Sequence, residues 1–280
     1  MSREHPHGVL LTVAYDGTAF RGWQRQPGQR TVQSTLGAAV HAITVRHSRV
    51  RGASRTDAGV HAEGQLAAFD ADLLVPPHGW VHALNAHLPD DVVVRGAVAC
   101  RAGFKPNFHA RGKLYRYLLQ CGPVRDPLLR HRAWHVGPGL ARPDLRPGER
   151  GPLAEHWLDV ERMRQAAARL TGTHDYRAFR ASGDRRENTV RTLWAIRLLP
   201  RYGARPDLLA IEVEGDAFMK QMVRILVGTL VEVGRHKMTP EQMDALLGPR
   251  ADRRAAGPTA PPQGLTLVRV DLKPGQPPPP

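Results

Sequence analysis

Apolar and polar positions repeat with two different periods along the chain, and the changes of period predict the order of its strands and helices. In the first half, short apolar runs predict strands at 9–15, near 48–53, at 65–69 and at 92–98. Helical periodicity predicts helices over 31–43 and 78–87, the first with Thr31 as its N-cap. The apolar face of that helix is predicted to comprise Val32, Leu36, Ala39, Val40 and Ile43. The resulting order, β-α-β-β-α-β, is typical of a ferredoxin-like unit.

The second half repeats this order with additions. Strands are predicted at 113–120, near 191–199 and 207–214, and at 265–272, and helices over 159–170, 218–233 and 240–247. The last helix has a capping-box start, because Thr239 is followed by Pro240 at the first helical position and by Gln242. We therefore predict an α+β fold in which two tandem ferredoxin-like units form a mixed, mostly antiparallel sheet with a central active-site cleft. The predicted domains are 1–105 and 106–273, with the boundary near 103–112.

Two segments show no periodicity. Residues 137–156 are rich in proline, glycine and arginine, which predicts a mobile basic insertion in the second domain. The proline-rich end of the chain, 274–280, is predicted to be disordered.

The charge balance points to a polyanionic partner. Lysine and arginine number 40 against 26 acidic residues, a formal net charge of +14. A positive field of this size speeds association with phosphate backbones, and nucleic acid is the most common such partner. A membrane surface is the alternative, but the most apolar run, 218–234, is interrupted by Lys220 and Arg224. The N-terminus also lacks the apolar core of a signal peptide, so we expect a cytoplasmic protein without membrane association.

The sulfur and imidazole groups do not form a pattern for a cofactor or a metal. Cys100 and Cys121 are too few for a disulfide framework and have no CxxC spacing. The segment from His131 to His135 lacks the glutamate of the zinc motif HExxH. We therefore expect no metal and no cofactor.

The segment 15-YDGT-18 is similar to the phosphotransferase pattern DxDGT. That chemistry requires a nucleophilic aspartate two residues before Asp16, where this chain has Ala14. We therefore interpret Asp16-Gly17 as a turn after a strand.

Asp57 is the main candidate for chemistry. It lies in the polar segment 51-RGASRTDAGVHAEGQLAAF-69, and its simplest interpretation is a turn in which the carboxylate accepts backbone N–H groups. However, Arg55 lies two residues away and can hold the carboxylate ionised and fix its direction. An ionised, oriented carboxylate is what covalent catalysis at an electrophilic carbon requires.

Two further elements carry side chains suited to a nucleic-acid substrate. Tyr115 and Tyr117 share one face of the strand at 113–120, and that face is either core or a cleft in which a tyrosine stacks on an unpaired base. Arg224 lies between Val223 and Ile225 in an apolar helix, where we expect it to be partly buried and to need an anionic partner. Asp57 is a candidate for that partner.

The chain resembles the bacterial tRNA pseudouridine synthase A family over nearly its whole length. The resemblance is carried by 15-YDGTAFRGWQRQ-26, 31-TVQ-33, 54-SRTDAGVHA-62, 84-LNAHLP-89, 113-KLYRY-117 and 218-FMKQMVRILVGTLVEVG-234. It implies a cofactor-free homodimer that converts uridine to pseudouridine at positions 38, 39 and 40 in the anticodon stem-loop of tRNAs.

By position, the resemblance assigns the catalytic nucleophile to Asp57, the active-site arginines to Arg55 and Arg224, and the tyrosine that stacks on the target base to Tyr115. The sequence departs from the family in three places. Ser54 replaces a frequent glycine, Asn107 stands where arginine is usual, and the insertion 137–156 is longer than expected. These differences concern the RNA contacts rather than the chemistry.

Two other functions fit parts of the sequence. A non-catalytic RNA-binding or chaperone protein would share the basic charge and the tyrosines. However, a carboxylate in a phosphate-binding groove lowers the affinity for RNA, so its presence there indicates a further role. A nuclease would need several acidic metal ligands near Asp57, and only Glu63 is close in sequence.

Overall fold

The structure is a computed structural model that describes residues 7–44, 49–144, 151–184 and 186–277. Contacts divide the chain into two compact units, Met1–Lys113 with Thr266–Pro280, and Leu114–Leu265. The domain limits of 1–105 and 106–273 stay a prediction.

The first unit has the predicted β-α-β-β-α-β order. Its strands are β1 (His7–Tyr15), β2 (Arg51–Gly52), β3 (His61–Ala71), β4 (Val92–Cys100) and, from the end of the chain, β10 (Leu265–Leu272). They lie in the order β4-β1-β3-β10, with β2 also paired to β3. Strand β1 is antiparallel to both of its neighbours, whereas β10 runs parallel to β3.

The helices of the first unit are α1 (Val32–Ile43), α2 (Pro77–Asn85) and the short α3 (Pro106–His109). Helix α1 begins as predicted, because the Thr31 side chain accepts the amide of Ser34 in a capping box. Its buried residues are Val32, Leu36, Ala39 and Val40, four of the five expected. The apolar periodicity therefore did identify the core face of this helix.

The second unit contains β5 (Ala110–Cys121), β6 (Trp134–Val136), β7 (Gly172–Asp175), β8 (Val190–Pro200) and β9 (Leu208–Gly215). The order is β5-β9-β8-β7, with β6 paired parallel to β5. Its helices are α4 (Val160–Arg169), α5 (Met222–Gly234) and α6 (Gln242–Ala245). Over the described ranges, ten strands in mostly antiparallel pairs and six α-helices confirm the α+β fold class.

Three predicted elements differ from the structure. Helix 218–233 is wrong at its start: α5 begins only at Met222, because Gln221 before it has a left-handed backbone with φ of 59°. Helix 240–247 is reduced to the four residues of α6, because the surrounding bonds, such as Gln242 N–H to Thr239 O, span three residues instead of four. The strand near 48–53 is only β2, and residues 45–48 lie outside the described part.

The insertion 137–156 is folded where the structure describes it. The Ala154 amide donates to Pro206 O at 3.0 Å, and the indole of the buried Trp157 donates to Gly151 O at 3.0 Å. Arg142 pairs with Asp144, while Arg146 and Arg150 lie outside the described residues. The mobility of this insertion stays a prediction.

Both cysteines are free and buried, and burial raises the pKa of Cys100 to about 11. None of the helices in the described residues has the length and apolar content to cross a membrane. Within the same ranges no group of three or more His, Cys, Asp or Glu residues could hold a metal ion.

Candidate active site

Asp57 lies in the loop between β2 and β3, and the start of that loop is fixed by β3. The Ala53 amide donates to Leu66 O at 2.8 Å. The fully buried Gln65 accepts the Ser54 amide at 3.1 Å and donates to Ser54 O at 2.7 Å. Because both polar groups of the Gln65 amide bind Ser54, the backbone immediately before Arg55 has little freedom.

The centre of the loop is held by the last residue of β1 and by the segment that follows it. Buried Thr56 shares a hydrogen bond of 2.8 Å between its hydroxyl and that of Tyr15, and its carbonyl accepts the Trp23 amide at 3.1 Å. The loop then turns, with Val60 N–H donating to Asp57 O at 3.2 Å and Gly59 at φ of 78°. Asp57 is half-buried at this turn, and Arg55 is exposed.

Two glycines let neighbouring backbone lie directly against the loop. A Cβ on Gly22 would be 2.7 Å from Thr56 O, and one on Gly17 would be 2.0 Å from Val60 O. Both distances are shorter than packed atoms allow, so any side chain would displace the loop that carries Asp57. Sequence reasoning did not find this supporting role, since Gly17 and Gly22 are remote from Asp57 in the chain.

The prediction that Asp16-Gly17 forms a turn is confirmed. Asp16 Oδ1 accepts both the amide of Thr18 at 3.0 Å and its hydroxyl at 2.6 Å. The Gly17 amide donates to Nδ1 of buried His61 at 3.1 Å. Asp16 therefore supports the structure beside the Asp57 loop.

In the second unit, Tyr115 lies on β5 and is 5 % exposed. Its ring packs edge-to-face on Phe218, with centroids 5.2 Å apart. Neighbouring Tyr117 is completely buried and donates its hydroxyl to Pro261 O at 2.7 Å. Burial raises the pKa of Tyr117 far above its ordinary value, and the charge of Arg224 opposes that rise, so Tyr117 is a neutral structural residue.

Arg224 is half-buried on the first turn of α5 and is bound by an element that we call the strap, residues 256–261. Its Nε donates to Ala260 O at 2.7 Å, and the Ala260 amide donates back to Arg224 O at 3.1 Å. The partial burial expected from the sequence is confirmed. The backbone bond to Ala260 was not foreseen.

The strap is anchored along α5 at two further points. The Gly257 amide donates to the buried hydroxyl of Thr229 at 2.9 Å. A Cβ on Gly228 would be only 1.8 Å from Pro258 O, so this helix position must lack a side chain. The strap therefore fixes the direction of the Arg224 side chain. The sequence pattern gave no sign of the strap.

The predicted site residues lie in both units. Asp57 and Arg55 belong to the first, and Tyr115 and Arg224 to the second. The pairing of Asp57 with either arginine stays a prediction. Within the first unit the arrangement offers a carboxylate on a firmly held loop, and within the second an aromatic ring and an oriented guanidinium.

Comparison with known proteins gives one consistent result. A family model described as tRNA pseudouridine synthase matches residues 11–109 and 166–272, which include Asp57, Arg55 and Arg224, while Tyr115 lies between the two ranges. The chain is 41% identical over 262 residues to tRNA pseudouridine synthase A of Geobacter sulfurreducens, covering 94% of this chain and 98% of that protein. It is 42% identical over 269 residues to the protein of the same name from Myxococcus xanthus, covering 96% of this chain and 93% of that one.

Proposed function

The chain belongs to the tRNA pseudouridine synthase family, and we propose that it converts uridine to pseudouridine at positions 38, 39 and 40 in the anticodon stem-loop of tRNAs. The enzyme is an isomerase that acts on uridine in tRNA. The observation that carries the site assignment is the Asp57 loop, which lies inside the matched range and is bonded to β3, to the end of β1 and to the segment after β1.

The reaction needs one well-placed carboxylate and no external reagent. The N1–C1′ bond of uridine breaks, the uracil rotates, and C5 bonds to C1′. The proton on C5 is lost and N1 gains one, so the composition of the nucleotide is unchanged. We propose that Asp57 acts either by adding to C1′, by adding to C6 of the ring, or by removing the 2′ proton to give a glycal.

The arginines and the tyrosine have separate proposed roles. A departing uracil is anionic, and a cation beside it lowers the energy of that state, which suits Arg55 or Arg224. The target base must leave its stack, at a cost of a few kcal/mol, before it can rotate. Tyr115 can replace part of the lost stacking, and its neighbour Phe218 holds the ring. The strap favours Arg224 as the fixed charge, because it binds the Arg224 side chain and backbone together.

We also propose that the protein acts as a cytoplasmic homodimer without a cofactor. The support is the family resemblance and the chemistry, which transfers no electrons and hydrolyses nothing. Size measurement of the pure protein in solution checks the dimer independently of activity.

Incubation with tRNA transcribed without modifications tests the function directly. We expect pseudouridine at positions 38, 39 and 40 and none when those positions carry cytidine. Binding without pseudouridine would favour the RNA chaperone. Strand cleavage that requires a divalent metal would favour the nuclease.

For Tyr115 we predict that the phenylalanine and alanine variants differ. Tyr115→Phe keeps the ring and loses only the contribution of the hydroxyl, whereas Tyr115→Ala also loses a stacking contribution of about 1–3 kcal/mol. Single-turnover rates on unmodified tRNA measure both. Tyr202→Phe is the matched control, because it removes the hydroxyl of a half-buried tyrosine of the same unit and should leave the rate unaltered. If Tyr115→Ala turned over as fast as the wild type, Tyr115 would not stack on the target base and would serve only in packing.

We predict that tRNA binding depends strongly on salt. With a net charge of +14 and several phosphates contacted, the affinity should fall at least about a hundredfold between about 50 and about 200 mM KCl, because binding releases condensed counterions. Fluorescence anisotropy with labelled tRNA gives the slope of log Kd against log salt. A melting curve at each concentration serves as the control for folding. If Kd did not change with salt concentration, the net positive charge of the protein would not serve to bind the tRNA backbone.

A further inference from the structure

The second unit contains a polar pocket that the proposed mechanism does not use. Its volume is about 330 Å³, at the lower end of the range for small-molecule sites. The lining comes from two segments, residues 177–184 and 251–253. Three of the lining side chains are arginines, Arg177, Arg180 and Arg253, and two are acids, Asp184 and Asp252.

Two of these charges are compensated by close partners. Arg177 forms two bonds to Asp175 Oδ2, at 3.0 and 2.8 Å, and a third to Pro249 O. Asp184 accepts the amides of Lys220 and Arg186 at 3.1 and 3.2 Å and lies 3.6 Å from the Arg186 guanidinium. The charges of Arg177 and Asp184 are therefore largely neutralised by these partners and contribute little to binding a ligand.

Arg253 is different, since it is half-buried without an acidic partner among the described residues. Its hydrogen bonds go to Gly257 O at 3.0 Å, Ala256 O at 3.4 Å and the Thr259 hydroxyl at 3.1 Å, all of them uncharged. Burial also lowers the pKa of Arg253 below its ordinary value. A desolvated cation that is bonded only to neutral groups gains most from an anion placed beside it.

Arg180 brings a second cation to the same pocket. Its guanidinium donates to one uncharged acceptor, Arg186 O. Asp252 is the remaining acid of the lining, and its Oδ1 accepts the Arg254 amide at 2.9 Å, which turns the chain there. The charge of Arg180 also contributes to lowering the pKa of Asp184, but neither Arg180 nor Arg253 forms an ion pair among the described residues. With three arginines and two acids, the lining has a net positive charge.

The pocket is connected by two hydrogen bonds to the residues beside Tyr115, the tyrosine proposed to stack on the target base. The Ala181 amide donates to Lys220 O at 3.2 Å, and Arg186 Nη1 donates to Phe218 O at 3.1 Å. Phe218 in turn packs on the ring of Tyr115. The loop that lines the pocket is therefore bonded to the residues that hold Tyr115.

We propose that this pocket binds one phosphate group of the tRNA backbone, through Arg180 and Arg253. The inference rests on the proposed function, since it takes tRNA as the ligand. Two guanidinium groups suit a tetrahedral phosphate, because each can place two parallel N–H donors on its oxygens. A phosphate held here ties the RNA strand to the segment that carries Phe218, so it contributes to placing the strand beside Tyr115.

Salt-dependent binding of unmodified tRNA tests the pocket. Arg180→Gln and Arg253→Gln should each weaken binding several-fold and reduce the slope of log Kd against log salt by about one, the loss of one phosphate contact. The double variant should lose the same single unit, because both arginines serve one phosphate. Asp252→Asn should instead tighten binding, because it removes the remaining acid of the pocket and keeps an acceptor for the Arg254 amide.

The controls separate charge from structure. Arg254→Gln makes the same change of charge one residue away from the pocket lining and should change the slope by less than half a unit. Arg253→Lys keeps the charge and should keep the slope, although it loses the bonds to the strap. Arg180 has one carbonyl partner, so its variant tests the pocket without disturbing the strap.

Failure of the pocket and failure of the function give different results. Unchanged slopes in Arg180→Gln and Arg253→Gln, in a protein that still forms pseudouridine, would overturn the pocket alone. A loss of about two units in the double variant would mean two separate contacts and would also overturn it. If the variants reduce the slope but the protein forms no pseudouridine, the phosphate pocket would stand and the proposed enzymatic activity would be overturned. If the protein does not bind tRNA, both proposals would be overturned. Weaker inhibition by inorganic phosphate in the variants, with an unchanged slope for tRNA, would assign the pocket to a free phosphate instead.

Discussion

Replacing Asp57 by asparagine is expected to make pseudouridine formation undetectable at every target uridine. Asparagine keeps the size and most of the hydrogen bonding of aspartate but removes its charge and nearly all of its nucleophilicity. The loop should keep its shape, because Gln65 and Trp23 bind its backbone and Tyr15 binds the Thr56 hydroxyl. Since one negative charge is lost from a basic protein, tRNA should bind as tightly as to the wild type or slightly more tightly.

Single-turnover product formation, together with a binding titration on the folded variant, measures both parts of this prediction. Asp90→Asn is the matched control, because it makes the same change at an exposed position of the first unit and should leave the rate unaltered. A rate for Asp57→Asn within about a hundredfold of the wild type, less than about 3 kcal/mol of barrier, would rule out Asp57 as the covalent or proton-abstracting group. Asp57 would then only shape its turn.

Gly228→Ala is expected to destabilise the protein and to lower the rate of isomerisation more than tenfold. An alanine in the middle of a helix is ordinarily favoured over glycine by about 1 kcal/mol. Here its Cβ would be 1.8 Å from Pro258 O, so the strap must move away from α5. Overpacking of this kind costs about 1–3 kcal/mol, which exceeds the helical gain. The rate falls because the displaced strap carries Ala260, which binds Arg224.

Gly37→Ala provides the matched control for this substitution. Gly37 lies in α1, and a Cβ there would meet no atom within 4 Å, so that variant should be stabilised by up to about 1 kcal/mol. Urea unfolding gives both free energies, and single-turnover assays at a temperature where both variants are folded give the rates. If Gly228→Ala were stabilised like Gly37→Ala, the strap would not be packed on α5 as described. If it were destabilised but fully active, the strap would not position Arg224.

The local elements were largely predictable because each of them has a local cause. Strand β10 was predicted at 265–272 and extends over Leu265–Leu272, since its leucines and valines are interrupted only by single polar residues, a pattern typical of a strand. Helix α4 was predicted over 159–170 and begins after Asp159, whose side chain accepts the Arg162 amide. At 218–221, where the predicted helix is absent, contacts with another segment hold the backbone, because the Ala181 amide donates to Lys220 O and the Lys220 amide donates to Asp184.

The candidate site likewise has features that follow from the local sequence and features that depend on contacts between distant segments. The sequence by itself determined the order of the elements, the basic charge, and the chemical character of Asp57, Arg55, Tyr115 and Arg224, because these depend on composition and on residues that are near each other in the chain. Only the tertiary structure decided what supports them: Gln65 and Gly22 around the Asp57 loop, and the strap with Gly228 beside Arg224. It also decided that Arg180 and Arg253 line one pocket. The physical reason is that close backbone packing and the satisfaction of buried polar groups join residues far apart in the chain, and no local periodicity records such pairs.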